Sequence, residues 1–219
     1  MNPVLLSLTL ALATTVGLFV LGVPLAWWLS QTRSPAKPLI EAITALPLVL
    51  PPTVLGFYLL ILFAPDNPVG AIWVTLTGDT LSFSFTGLWV ASLLYSLPFM
   101  VQPVQAGFER LGSAPFEAAT ALGARPIDRF FSLALPLARR SLLTGGVMTF
   151  AHTLGEFGVV LMVGGNIPGH TRVISIAIYE HVETLDYASA HQLSAGLLVF
   201  AFVVLSALFV LNRRQERTS

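Results

Sequence analysis

The chain has 219 residues, 55% of them hydrophobic and 10% charged, with a mean hydropathy of +0.80. Soluble domains carry about 25% charged residues, so a soluble enzyme is excluded and an integral membrane protein is indicated. Formal net charge is zero, cysteine is absent and the four histidines are scattered, which excludes disulfides, thiolate metal sites and a clustered metal centre; no basic stripe suggests nucleic acid.

The apolar runs predict five transmembrane helices in an all-α chain, with no separate soluble domain. The first span covers about 4–30. It lacks the basic start and short apolar core of a cleaved signal peptide. Trp27 and Trp28 at its end read as interface anchors, and Gly22 and Pro24 as candidate bend points. A polar turn with Arg33 and Lys37 leads to the second span, about 39–63. Pro47, Pro51 and Pro52 interrupt its hydrogen-bond ladder. Unpaired carbonyls are tolerated at membrane depth only where protein or a wet cavity meets them, so this half-unwound span is expected to line a pathway. Residues 64–84 carry Asp66 and Asp79, and the apolar part around Trp73 is expected to dip into the interface. The third span covers about 85–108.

Residues 113–136 are too polar for a bilayer and predict a small helix-turn-helix. Ser113 is placed as an N-cap and Pro115 in the first helical turn. Glu117 sits where the helix dipole favours a carboxylate. Ala118, Ala119, Thr120, Ala121 and Leu122 continue the helix, and Gly123 ends it. Pro126 opens a second short helix, with Ile127, Phe130, Phe131 and Leu133 as its apolar positions, and Leu135-Pro136 closes the segment.

The fourth span covers about 136–162. Ser141, Gly145, Thr149, His152 and Glu156 fall on one small or polar face, which should meet another helix or water rather than lipid. The piece at 172–181 is too short to cross, since about 20 residues are needed, and reads as re-entrant or interfacial. The last span covers about 189–211. Five spans place Arg33, Lys37, Arg110, Arg125, Arg129, Arg139, Arg140, Arg213, Arg214 and Arg217 on one side and only Arg172 on the other. The positive-inside rule makes the first side cytoplasmic, with the N-terminus outside and the C-terminus and loop 113–136 inside.

Glu117-Ala118-Ala119, Gly123 and Leu133-x-Leu135-Pro136 resemble, in identity and spacing, the EAA loop of ABC importer permeases. Gly155-Glu156-Phe157-Gly158 and Gly164-Gly165-Asn166-Ile167-Pro168-Gly169-x-Thr171 are similar to motifs of the molybdate and sulfate branch of that family, the second nearer to its molybdate members. The resemblance covers nearly the whole chain. It implies the type I importer permease fold and a homodimer in the cytoplasmic (inner) membrane. The expected partners are two cytoplasmic ATPase subunits, a molybdate-binding protein outside, and lipid. The chain has no Gly-x-x-x-x-Gly-Lys-Ser/Thr to cradle phosphate, so it is expected to be non-catalytic and to hold no cofactor itself, ATP being bound by the partner subunits.

The resemblance assigns Phe116, Glu117, Ala118, Ala119, Gly123, Leu135 and Pro136 to ATPase coupling, with Phe116 as an anchor in the ATPase groove. Ionisable groups at membrane depth mark a pathway by default. Candidate path or gate residues are therefore His152 and Glu156, the hydroxyls of Thr149 and Thr153, and the breakers Pro51 and Pro52. A helix–helix hydrogen bond is the alternative for His152 and Glu156, and Glu156 suits gating or packing better than anion binding because like charges repel. Asn166, Pro168, Gly169 and Thr171 are candidates for facing the receptor; an unpartnered solvated loop is the alternative. Sulfate, thiosulfate and tungstate are alternative cargoes. A stand-alone secondary transporter or scaffold would call for an internal repeat or a charge relay, and neither is visible.

Overall fold

The structure, a computed structural model, describes the backbone of residues 2–216 and the side chains of 2–208 and Val210. The side chains of Arg213, Arg214 and Arg217, counted above, lie outside the described residues. All regular structure among the described residues is helical: α1 (Pro3–Gln31), α2 (Lys37–Val49), α3 (Pro52–Phe63), α4 (Pro68–Thr77), α5 (Phe85–Arg110), α6 (Ala114–Ala121), α7 (Pro126–Arg129), a π-turn (Phe130–Ala134), α8 (Leu135–Leu137), α9 (Arg139–Gly155), α10 (Gly158–Gly164), α11 (Ile174–Glu183) and α12 (Tyr187–Glu216).

Three helices, α1, α5 and α12, are long and apolar enough to cross a membrane unbroken. The other two expected spans are bent pairs. α2 and α3 meet at 113°, and α9 and α10 at 60°. The first break has a covalent cause. Pro51 and Pro52 donate no N–H, and the residue before a proline is driven out of the helical region; Leu50 is extended, with ψ 135°. The second break, at Glu156-Phe157, contains no proline, and the fourth span read as continuous over 136–162 is in fact interrupted there. Glu156 is extended, with ψ 135°, and Gly155 and Gly158 flank the break.

The short helix opened by Pro126 also differs from expectation. It does not stop at Leu135-Pro136 but runs on through the π-turn and α8 almost into α9. Proline lacks the ladder N–H and its ring crowds the carbonyl four residues back, and a π-turn is one way a helix absorbs that insult. Here the Leu135 N–H reaches back to the Phe130 carbonyl.

α1 and α5 form the spine. α1 opens with the Asn2 side chain accepting the Val4 N–H at 2.9 Å, and α5 with Ser84 accepting the Gly87 N–H at 3.0 Å. Leu18, Val23, Ala26 and Leu29 of α1 pack against Met100, Val101, Val104 and Phe108 of α5; Leu6 and Leu10 pack against Leu88. α12 is the most lipid-ready element, with only 6% of its apolar window buried. α4 is a short apolar helix against α3 in the segment expected to enter the interface. α11 has the length expected of a piece too short to cross, but it is docked rather than loose, with Ile174, Ile176 and Ala177 buried.

Candidate functional site

α9 runs antiparallel to α5, and the polar face foreseen on α9 meets α5 rung by rung. At one end, Arg110 donates to Ser141 at 3.1 Å, and Gly107 leaves room for Ser141, since a Cβ there would lie 2.2 Å from its hydroxyl. One turn on, Gly145 packs on Met100 and Val104. At the other end, Ser96 Oγ lies 2.9 Å from His152 Nδ1 and 2.9 Å from Thr153 Oγ1. Ser92 donates to Glu156 Oε2 at 2.9 Å. His152 stacks on Phe99 with ring centroids 3.9 Å apart and sits 4.8 Å from Tyr95.

Glu156 is 4% exposed, and its second oxygen, Oε1, has no hydrogen-bond partner among the described residues. An unpaired buried carboxyl oxygen is costly. The group lines the wall of a cleft of about 590 Å³, with Pro52, Thr53, Tyr95, His152, Phe157 and Gly158. The two helix breaks thus face each other. A Cβ on Gly158 would lie 2.7 Å from Pro52 Cβ, and one on Gly56 would lie 2.8 Å from Met162 Cβ, so α3 and α10 touch because these positions carry no side chain.

Of the candidate path residues, Pro52, His152 and Glu156 line this cleft. Pro51 is exposed beside the break and is not among the lining residues. Thr149 and Thr153 are buried within the bundle, not on the cleft wall. Their placement corrects the idea that both hydroxyls face a path; Thr153 spends its hydroxyl on Ser96. Ser92, Ser96, Tyr95 and Phe99 were missed. The available signal was the Ser92-x-x-x-Ser96 spacing in an apolar run, which puts both hydroxyls on one helix face.

At the opposite end of α9, α6 and α7 form the foreseen helix-turn-helix. Gly123 has φ +85°. Its N–H reaches the Thr120 carbonyl and the Ala124 N–H reaches that of Ala119, both at 2.9 Å, the paired bonds of a Schellman stop. Arg129 braces the turn by donating to Thr120 Oγ1 at 2.9 Å. Asp128 accepts the Arg125 N–H at 3.2 Å. Ser113 occupies the N-cap position, but its side chain makes no capping bond; only its carbonyl accepts, from Phe116 and Glu117.

Phe116 does not face outward. It is buried, with its ring centroid 5.0 Å from Trp27, which also meets Phe108 at 5.1 Å and Phe130 at 6.0 Å. This corrects one expectation: Phe116 anchors α6 to its own bundle, with the half-buried Trp27 as the hub of that anchor. Glu117 and Ala118 are exposed, Ala119 and Leu135 are half-buried, and Pro136 is exposed. The outward apolar side chains are Leu122, at 89% exposure, with Ile127 and Phe131.

Beyond α10 the loop turns on Gly165 and Gly169, with φ +63° and +79°. Asn166 and Pro168 are exposed and Gly169 is half-buried. Thr171 is fully buried and accepts the Ile167 N–H at 3.1 Å, so it closes the loop from within instead of facing a receptor. Arg172 donates to Asn166 Oδ1 at 2.6 Å and pairs with Glu180 at 2.9 Å.

Fold and site together define a multi-pass membrane protein of the permease kind, with broken helices around a polar cleft and a braced helix-turn-helix at one end. Residues 4–217 match the family model described as the inner membrane component of binding-protein-dependent transport systems, and the chain belongs to that family. It is 54% identical over 208 residues to the molybdenum transport system permease protein ModB of Azotobacter vinelandii, covering 95% of this chain and 92% of that one. It is 33% identical over 213 residues to the sulfate transport system permease protein CysT of Escherichia coli, covering 96% and 76%. Its fold matches a chain of the inward-facing MetNI methionine ABC transporter with a TM-score of 0.76 at 17% identity, covering 97% and 94%.

Proposed function

We propose that this chain is the membrane-spanning permease subunit of an ABC importer that carries molybdate into the cell. The observation that carries the reading is the 54% identity over nearly the whole length to a molybdenum permease, against 33% to a sulfate permease. In this reading two copies face each other, each contributing the cleft between its helix breaks. Two ATPase subunits seat on the helix-turn-helices at the cytoplasmic side, and a molybdate-binding protein docks outside. The gathering of Lys37, Arg110, Arg125, Arg129, Arg139 and Arg140 at the α6 end supports that end being cytoplasmic, with the N-terminus outside. The chain works without a cofactor of its own, and its partners bind the ATP.

The physical division of labour fits a tetrahedral dianion. Stripping its water is costly, so tight recognition belongs in a receptor with fixed donors, while the membrane path offers only weak ones. The cleft has polar side chains but, among the described residues, no lysine or arginine on its wall, which suits passage rather than storage. Phe116 ties α6 to the bundle, and Glu117, Ala118, Leu122, Ile127 and Phe131 present the surface for the ATPase.

The test is uptake of labelled molybdate, tungstate, sulfate and thiosulfate by vesicles holding the full complex. Molybdate uptake that depends on ATP is expected, with sulfate at least about tenfold slower, which corresponds to about 1.4 kcal/mol. Sulfate uptake at the molybdate rate would move the chain to the sulfate branch. A purified complex with no ATPase would defeat the importer reading.

A further inference from the structure

The helix that holds Phe116 at one end holds a second short helix at the other. Ser7 Oγ of α1 accepts the Ile174 N–H at 2.7 Å, in a buried contact. Ile174 opens α11, so its N–H is one of the donors a helix leaves without an internal partner. Val173, in the N-cap position, makes no side-chain capping bond. The cap comes instead from a serine on another helix, far away in the chain. Leu6 and Leu10 pack around it with Val173 and Ile176. Next along α11, Ser175 donates to the backbone carbonyl of Glu156, the residue at which α9 ends and the cleft begins.

Between the two ends α1 is a single helix that continues through Pro24. From Ser7 to Trp27 it rises about 30 Å, roughly the thickness of a hydrocarbon core. It lies tight against α5: a Cβ on Gly17 would come within 2.8 Å of Leu93 Cδ2, and one on Gly22 within 3.2 Å of Met100 Cγ. Close-packed helices shift as bodies rather than deform. A displacement applied at Trp27 therefore arrives at Ser7 as a displacement.

We propose that α1 is a tie-rod. It takes up movement of α6 through the Phe116–Trp27 contact and delivers it through the Ser7 cap to α11, and so to the Glu156 carbonyl at the cleft. Ser7 and Trp27 are positioning residues; neither lines the cleft. The inference rests on the importer reading and deepens it by naming the mechanical link between motor surface and cleft.

The experiment uses the full complex in proteoliposomes, with Ser7→Ala, Trp27→Leu and the double variant. Three quantities are read: ATPase co-purification, ATP hydrolysis and molybdate uptake per ATP. Ser7→Ala is expected to keep co-purification and basal hydrolysis and to lower uptake per ATP about fivefold, the scale of one buried hydrogen bond. Trp27→Leu is expected to lower it as well, and the double variant to fall no further than the worse single, because both sites act in series on one rod. A loss of folded protein alone would change yield, not uptake per ATP. Wild-type uptake per ATP in Ser7→Ala, or losses that multiply in the double variant, would overturn the tie-rod while leaving the importer reading intact. Failure of the wild-type chain to hold an ATPase would defeat the importer reading first, and the tie-rod with it.

Discussion

Truncating Phe116 tests most directly what the helix-turn-helix is attached to. The side chain is 4% exposed and meets Trp27 edge-on at 5.0 Å. α6 has eight residues, and a helix that short does not stand alone in water, so its order depends on docking. Phe→Ala in a packed site costs about 3–5 kcal/mol, of which roughly 0.5–1.5 kcal/mol is the aromatic pairing itself. At the lower figure of about 3 kcal/mol, the docking equilibrium of α6 shifts roughly a hundredfold. Hydrogen exchange of the purified permease reads this: the amides of α6 should exchange roughly a hundredfold faster in Phe116→Ala, while those of mid-α5 stay protected. Leu122→Ala is the contrast. That side chain is 89% exposed, so its loss should leave exchange within about twofold and weaken only the hold on the ATPase. Equal exchange in wild type and Phe116→Ala would refute the argument and return Phe116 to the partner-facing surface.

Other outcomes follow from the same contacts. At Gly123 a Cβ would meet nothing within 4 Å, so the cost of substitution is the φ of +85° alone, about 1–2 kcal/mol; Gly123→Val should slow uptake more than Gly123→Asn, with both proteins still inserted. Gly56→Ala would push a methyl to 2.8 Å from Met162 Cβ and 3.2 Å from the Val159 backbone; a loss of about 1–3 kcal/mol, seen as a lowered Tm, is expected. Glu156→Ala strands the Ser92 hydroxyl, whereas Glu156→Gln keeps an acceptor. Uptake should fall more in the alanine variant than in glutamine, with membrane insertion unchanged by immunoblot. Thr171→Val removes the acceptor for the Ile167 N–H, and exchange in 165–171 should rise about fivefold for one lost hydrogen bond.

The stop of α6 was legible in the sequence because it depends on neighbours in the chain. Gly123, six residues after Glu117, is a local conformational statement, and the Schellman bonds appear where it points. The break at Pro51-Pro52 was legible for the same reason: proline removes its donor wherever it sits. The break at Glu156 was not legible, since no proline marks it and extended backbone there is bought only by what surrounds it, including the Ser175 donation to its carbonyl. Nor could sequence orient Phe116, because a helix that short has no strong apolar stripe and its ring is claimed by Trp27 from a distant segment.

From the sequence alone came the membrane class, the approximate spans, the gathering of charge at one end and the helix-turn-helix, all set by composition, local backbone preference and transfer of side chains between lipid and water. Only the tertiary structure decided that Ser92 and Ser96 meet Glu156 and His152, that two helix breaks share one cleft, and that Trp27 and Ser7 each hold a short helix from opposite ends of α1. The reason is physical: those pairings exist only once α1, α5 and α9 have packed, and packing selects partners by shape across the bundle, which a one-dimensional pattern of polarity does not encode.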